Sequence, residues 1–131
     1  MKRIMTSGKR KTALARATLQ SGAGIVRING HLLDGYEPEL YKLKLQEPLI
    51  IAGDLPSTVN IDVTVQGGGI VSQTEACRLA IARALVAVDK KLQKQFLEYD
   101  RTLLVADVRR KETHKPNCHG KARAKRQKSY R

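Results

Sequence analysis

The densest chemistry in this sequence is positive charge without a partner. The stretch GKARAKRQKSYR, residues 120–131, holds six Lys or Arg and no Asp or Glu. Gly120, Ala122 and Ala124 between the cations make a flexible chain whose charges can follow a phosphate backbone, and Arg adds a planar fork of donors. A second cluster lies in SGKRKTALAR, where Lys9, Arg10 and Lys11 are adjacent. Adjacent residues point to both sides of any strand, so these three cannot form one ion-pair stripe. Ser7 and Thr12 offer hydroxyl donors there and Gly8 permits close backbone approach, which suits phosphate contact. A solvated terminus is the plain alternative.

Other chemistry is thin. The glycines of GGGIVSQ precede a helix, where backbone N–H groups and the helix dipole attract anions. They lack the Lys-Ser/Thr pair of a nucleotide-binding loop and do not match G-x-G-x-x-G. A glycine turn or a ribose-phosphate contact both fit. His114, Cys118 and His119 offer three metal ligands within six residues, but zinc wants four. They read as a polar loop, and no metal or other cofactor is expected. The carboxylates are scattered, with no evident nucleophile and base pair. The chain therefore reads as neither an enzyme nor the binder of a small-molecule substrate.

The charge is unevenly placed. Residues 1–16 carry six basic and no acidic groups, and residues 109–131 carry ten basic groups against Glu112 alone. The stretch between holds nine basic and eleven acidic residues within a chain of net charge +13. A nearly neutral body with two basic ends calls for a polyanion. Nucleic acid is the expected partner rather than a membrane, because the basic tail has no apolar face. Cys77 and Cys118 sit in different settings and suggest no disulfide. With no apolar leader or spanning run visible, the chain reads as cytosolic.

These residues need a body to carry them. Thr12–Gln20 alternates, with Ala13, Ala15, Ala17 and Leu19 on one face, and IVRI (25–28) follows the turn SGAG, so the two read as a hairpin. Glu37-Pro38 opens a short helix that Pro48 should interrupt, with Gly53 as its C-terminal cap. The clearest strand is VNIDVTVQ, residues 59–66. Ser72 and Glu75 form a capping box for a helix whose stripe is Cys77, Ile81, Ala84, Leu85, Val88 and Leu92. Arg83 falls opposite that stripe and Arg78 on its flank. The helical pattern continues to Phe96 with a break near Asp89, and LLVADV, 103–108, is a last strand candidate. The order predicts a two-layer α+β sandwich. Residues 1–110 are expected as a globular RNA-binding domain and residues 111–131 as an extended basic tail, which could reach roughly 70 Å.

The motifs taken together resemble those of the small-subunit ribosomal protein S9 family. They are SGKRKTALARATL, G-x-G-I-V-x-I-N-G, GGG before SQTEACRLAIARAL, DVRRKE, and the ending KRQKSYR. The resemblance runs nearly end to end, and KSYR looks like the archaeal and eukaryotic branch, with the compact length more archaeal. It implies a mixed four-stranded sheet with helices on one face, like domain two of ribosomal protein S5, with a left-handed β-α-β crossover. It also implies a place in the head of the small ribosomal subunit, on ribosomal RNA and beside neighbouring ribosomal proteins, with the tail directed to the anticodon stem-loop of the P-site tRNA. Carried over, Lys9, Arg10, Lys11, Arg16, Arg109, Arg110, Lys121, Arg123, Lys125 and Arg126 become rRNA contacts. Lys128, Ser129, Tyr130 and Arg131 become tRNA contacts. The chain departs from the pattern at Val108 and over HKPNCHG, residues 114–120. The rival reading is a sequence-tolerant DNA-compacting protein, and a small RNA-modifying enzyme stands third.

Overall fold

Period-two patterning in two segments builds the middle of the sheet. Val59, Ile61, Val63 and Val65 alternate with polar residues, as Ala13, Ala15, Ala17 and Leu19 alternate with Leu14, Arg16, Thr18 and Gln20. Residues two apart share a face of a strand, and every member of the first sets is buried. The computed structural model describes residues 3–124, 129 and 130. Its strands are β1 (Ile4–Arg10), β2 (Ala13–Ser21), β3 (Val26–Ile28), β4 (His31–Leu32) and β5 (Val59–Gln66). Its helices are α1 (Glu39–Ile51), α2 (Ile70–Val88) and α3 (Leu92–Tyr99).

The sheet order is β1-β2-β5-β3-β4. β2 runs antiparallel to both β1 and β5, while β3 and β5 are parallel neighbours joined through α1. α2 covers the apolar face across β1, β2 and β5, and α1 packs on α2. Among the described residues, no helix packs on the opposite face, which carries Ser7, Lys9, Arg16 and Thr64. The expected α+β sandwich is therefore present. On α2 the stripe of Cys77, Ile81, Ala84 and Leu85 is buried, each large member contributing about 1.5–3 kcal/mol on burial. With no Trp and a single Phe, the core is aliphatic around the fully buried Phe96.

The sheet has five strands rather than four, and its membership differs. β1 lies where adjacent cations hide the alternation. Its inward residues are Ile4, Thr6, Gly8 and Arg10, and Thr6 becomes core-compatible by donating its hydroxyl to the Ala80 carbonyl at 2.8 Å. The strand expected at 103–108 is absent. A 3₁₀ turn, Arg101–Leu103, occupies that place, capped by Asp100, whose carboxylate accepts the Thr102 N–H at 2.9 Å. The expected β2–β3 hairpin is also absent, because β5 lies between them. Asn60 on β5 explains this: its side-chain oxygen accepts the N–H groups of Ala23 and Ile25 at 2.9 and 3.1 Å, drawing the SGAG turn across β5.

Helix boundaries shift for equally local reasons. α1 starts just after Pro38 and runs through Pro48, which is buried inside it; Gly53 follows its end with φ +63°, as a C-terminal glycine should. The capping box does not form. α2 begins at Ile70 behind Gly69, leaving Ser72 inside the first turn and Glu75 turned to Arg10. Gly67 and Gly68 carry the chain from β5 into α2 at φ +78° and +70°, a region costly for other residues. The break near Asp89 is present, with Asp89 accepting the Lys91 N–H at 2.9 Å.

Candidate nucleic-acid interface

Arg10 organises the basic region by turning away from it. Strand alternation sends Lys9 outward to the uncovered sheet face and Arg10 toward α2. There Arg10 meets Glu75 at 3.3 Å and contacts the carboxylate of Asp107, with its side chain only 16% exposed. Asp107 also accepts Arg109: the guanidinium Nε and terminal nitrogen lie at 3.0 and 2.7 Å from Oδ2, and the backbone N–H at 2.8 Å from Oδ1. These hydrogen bonds from Arg109, with Arg10 beside them, hold the Asp107 carboxyl well below the usual carboxylate range. Arg83, expected on the solvent side of α2, instead donates to the carbonyls of Ser7 and Leu104 at 2.8 and 3.1 Å. β1 and the segment leaving the 3₁₀ turn are thereby strapped together across α2.

The strap brings the two basic runs, a hundred residues apart in sequence, to one place. Lys9, Lys11 and Thr12 at the β1–β2 turn and Arg109, Arg110 and Lys111 line a single open groove of about 750 Å³. Lys11 sits at the turn with φ +52°. Lys9, Lys11, Arg110 and Lys111 are exposed and make no ion pair among the described residues. Four unneutralised cations around a concave surface, with a hydroxyl at its edge, have the chemistry that could hold phosphate groups. Arg16 lies outside the groove, on the uncovered face opposite Ser7 and Thr64. It is a diagonal neighbour of Lys9 on that face, so the positive surface continues along β2.

Beyond Lys111 the chain turns back on itself. Glu112, the sole carboxylate of the basic tail, accepts Arg123 at 2.6 and 3.3 Å, and the Lys115 N–H donates to the Lys121 carbonyl at 2.9 Å. Hydrogen bonding from Arg123 lowers the Glu112 pKa. Lys121, Ser129 and Tyr130 are exposed. Lys125, Arg126, Lys128 and Arg131 lie outside the described residues. Sequence reasoning passed over Lys111, although it continues the Arg109-Arg110 run, and did not foresee Asp107 or Arg83 as the residues that position the groove.

Among the described residues no group of three His, Cys, Asp or Glu side chains is placed to hold a metal. No described helix is long and apolar enough to cross a membrane. Burial pushes the Cys77 thiol up to about 12, which makes it a poor nucleophile at neutral pH. The GGG turn is accounted for by backbone geometry, with the Gln73 side-chain amide donating to the Gly67 carbonyl at 3.1 Å.

The family model described as ribosomal protein S9/S16 matches residues 8–131. The small ribosomal subunit protein uS9 of Methanococcus maripaludis is 53% identical over 134 aligned positions, covering the whole of both chains. That of Methanococcus vannielii is 51% identical over the same full extent.

Proposed function

The chain belongs to the ribosomal protein S9/S16 family, and from that premise we propose a division of labour between its groove and its tail. It is a protein of the small ribosomal subunit, cytoplasmic with that particle, and serves translation as a structural constituent rather than an enzyme. Its partners are ribosomal RNA and other ribosomal proteins. The groove formed by Lys9, Lys11, Arg109, Arg110 and Lys111 holds rRNA phosphates in the subunit head, with Arg16 extending the contact over the open sheet face. Arg10 serves as the internal strut that aims this surface. Residues 111–131 form the extension that threads between RNA strands. In it Lys121, Arg123, Lys125 and Arg126 contact rRNA, and Lys128, Ser129, Tyr130 and Arg131 contact the anticodon stem-loop of the P-site tRNA.

The observation that carries this reading is the convergence of the two basic runs on one groove, where Arg109 is held by Asp107 while Lys9, Lys11, Arg110 and Lys111 have no carboxylate partner among the described residues. Phosphate supplies what the fold withholds, and Glu112 would yield Arg123 to RNA with little loss, since a surface ion pair is screened by solvent. The DNA-compacting alternative finds no support among the relatives. Ultraviolet crosslinking in cells, mapping both nucleotide and peptide, tests the reading. Peptides containing residues 9–11 and 109–111 are expected on small-subunit rRNA, and the peptide reaching Tyr130 on tRNA anticodon loops. Crosslinks scattered over chromosomal DNA would overturn it.

A further inference from the structure

One end of the body has the wrong sign for RNA. From β4 through α1 to the turn before β5, five carboxylates (Asp34, Glu37, Glu39, Glu47, Asp54) stand against two lysines, Lys42 and Lys44. Glu47 is engaged by Arg78, and the Lys42 ammonium donates to the Asp34 backbone carbonyl at 2.6 Å. Asp34, Glu37, Glu39 and Asp54 make no ion pair among the described residues. The same region is apolar at its surface. Leu32 is 54% and Ile50 73% exposed, and between them opens a groove of about 710 Å³ lined by Ile25, Leu33 and Leu49, with Asp34 as its one charged lining residue. It lies at the β4 edge of the sheet, whereas the basic groove lies at the β1 edge.

We infer that this acidic, apolar groove docks a basic segment of a neighbouring protein of the same subunit. The inference rests on the ribosomal reading above and deepens it by naming the surface and the chemistry of the partner. Apolar side chains of that segment sit between Leu32 and Ile50, while its Lys or Arg groups meet Asp34 and the carboxylates around it. Charge excludes the other occupants. An RNA strand or an anionic lipid surface would set phosphates against unpaired carboxylates. A second copy joined edge to edge would set the same carboxylates against one another, and like-charge juxtaposition opposes association. β4 is two residues long, too short to template an extended strand pairing. Apolar filling and charge therefore hold the partner, with main-chain pairing secondary.

The test places a diazirine amino acid separately at Ile50 and at Lys111 of the full chain, in cells, with crosslinked partners identified from purified small subunits. The Lys111 probe is expected on rRNA. The Ile50 probe is expected on another small-subunit protein, within a peptide rich in Lys and Arg. If the Lys111 probe finds rRNA while the Ile50 probe finds rRNA, a second copy, a segment without excess positive charge, or nothing, the docking inference is overturned and the functional reading stands. A Lys111 probe that finds no RNA overturns the functional reading instead. The double variant Asp34→Lys/Ile50→Lys changes only exposed side chains. It should release the crosslinked neighbour from salt-washed subunits by roughly tenfold or more, with this chain still on its rRNA. Full retention of the neighbour would refute the inference.

Discussion

Neutralising the groove should flatten the salt dependence of RNA binding by a predictable amount. The perturbation is the quadruple variant Lys9→Gln, Lys11→Gln, Arg110→Gln and Lys111→Gln, which keeps long polar stems and removes four cations that no described carboxylate neutralises. Each phosphate neutralised contributes about 0.7–0.9 to the slope of log K against log salt, so four contribute roughly 3. Raising salt from about 50 to about 200 mM is a fourfold change, and a slope of 3 converts it to a loss of roughly 60-fold that the variant should no longer show. The assay is equilibrium binding of the full chain to a small-subunit rRNA transcript across a salt series. All four residues are exposed, so thermal stability should stay within about 0.5 kcal/mol, which separates lost contacts from lost fold. Arg10→Gln is the contrast: it removes a buried strut, so it should lower stability and leave the slope near the wild-type value. An unchanged slope in the quadruple variant, or an equal flattening from Arg10→Gln alone, would refute the assignment of phosphates to this groove.

Three further outcomes follow from the geometry and a fourth from the proposed role of the tail. Gly8→Ala should destabilise the protein by about 1–3 kcal/mol or more, because the added Cβ would stand 2.1 Å from the Ala76 carbonyl oxygen and 2.8 Å from the Ala80 nitrogen; a melt unchanged within error would contradict that packing. Under native conditions near pH 8, iodoacetamide should modify Cys118, which is partly exposed, and spare Cys77, which is buried; two modified thiols without unfolding would show that Cys77 opens. Hydrogen bonds from Thr102 and Arg78 outweigh burial to lower the Asp100 pKa, and Arg109 lowers that of Asp107. Folded values below unfolded ones of about 4 mean stability is flat from pH 7 to about 5 and falls as acid titrates through the folded values; Asp100→Asn should shrink that acid loss in a calorimetric pH series, and a wild-type loss already complete at pH 5 would rule the assignment out. Removing residues 129–131 should leave subunit assembly intact and weaken P-site tRNA retention, whereas failed assembly would break the proposed division between body and tail.

How much of this was legible depends on whether a residue's role is set by its neighbours in sequence. β2, β5 and the α2 stripe were readable because alternation and a 3.6-residue period need only local apolar residues. β1 was hidden because three of its four inward positions are Thr6, Gly8 and Arg10, none of which looks like core. Thr6 works there by bonding Ala80 and Gly8 by leaving room for the helix backbone. The strand read into LLVADV failed for the opposite reason. A continuous apolar run cannot say which element will hold it, and Asp100 decided for a turn. Strand pairing also escaped, since Asn60, some thirty-five residues on from the SGAG turn, is what draws that turn across β5.

The basic triplet shows the same boundary within three residues. Lys9, Arg10 and Lys11 look equivalent in sequence, yet a strand must send the middle one to the opposite face from its neighbours. That inversion becomes favourable only because α2 presents Glu75 and the segment after the 3₁₀ turn presents Asp107 on that side. Arg is suited to the inward place, since a planar fork can meet two carboxylates at once where an ammonium is a point charge. Once Arg10 is inside, Asp107 is fixed, Arg109 is drawn to it, and Arg110 and Lys111 emerge beside Lys9 and Lys11. The charge that reads in sequence as one third of a basic run thus works as the strut that assembles the other two with a second run. Arg10→Lys should therefore be a poor replacement despite conserving charge: stability falls because one ammonium cannot span Glu75 and Asp107, while the salt slope for RNA stays near that of the wild type.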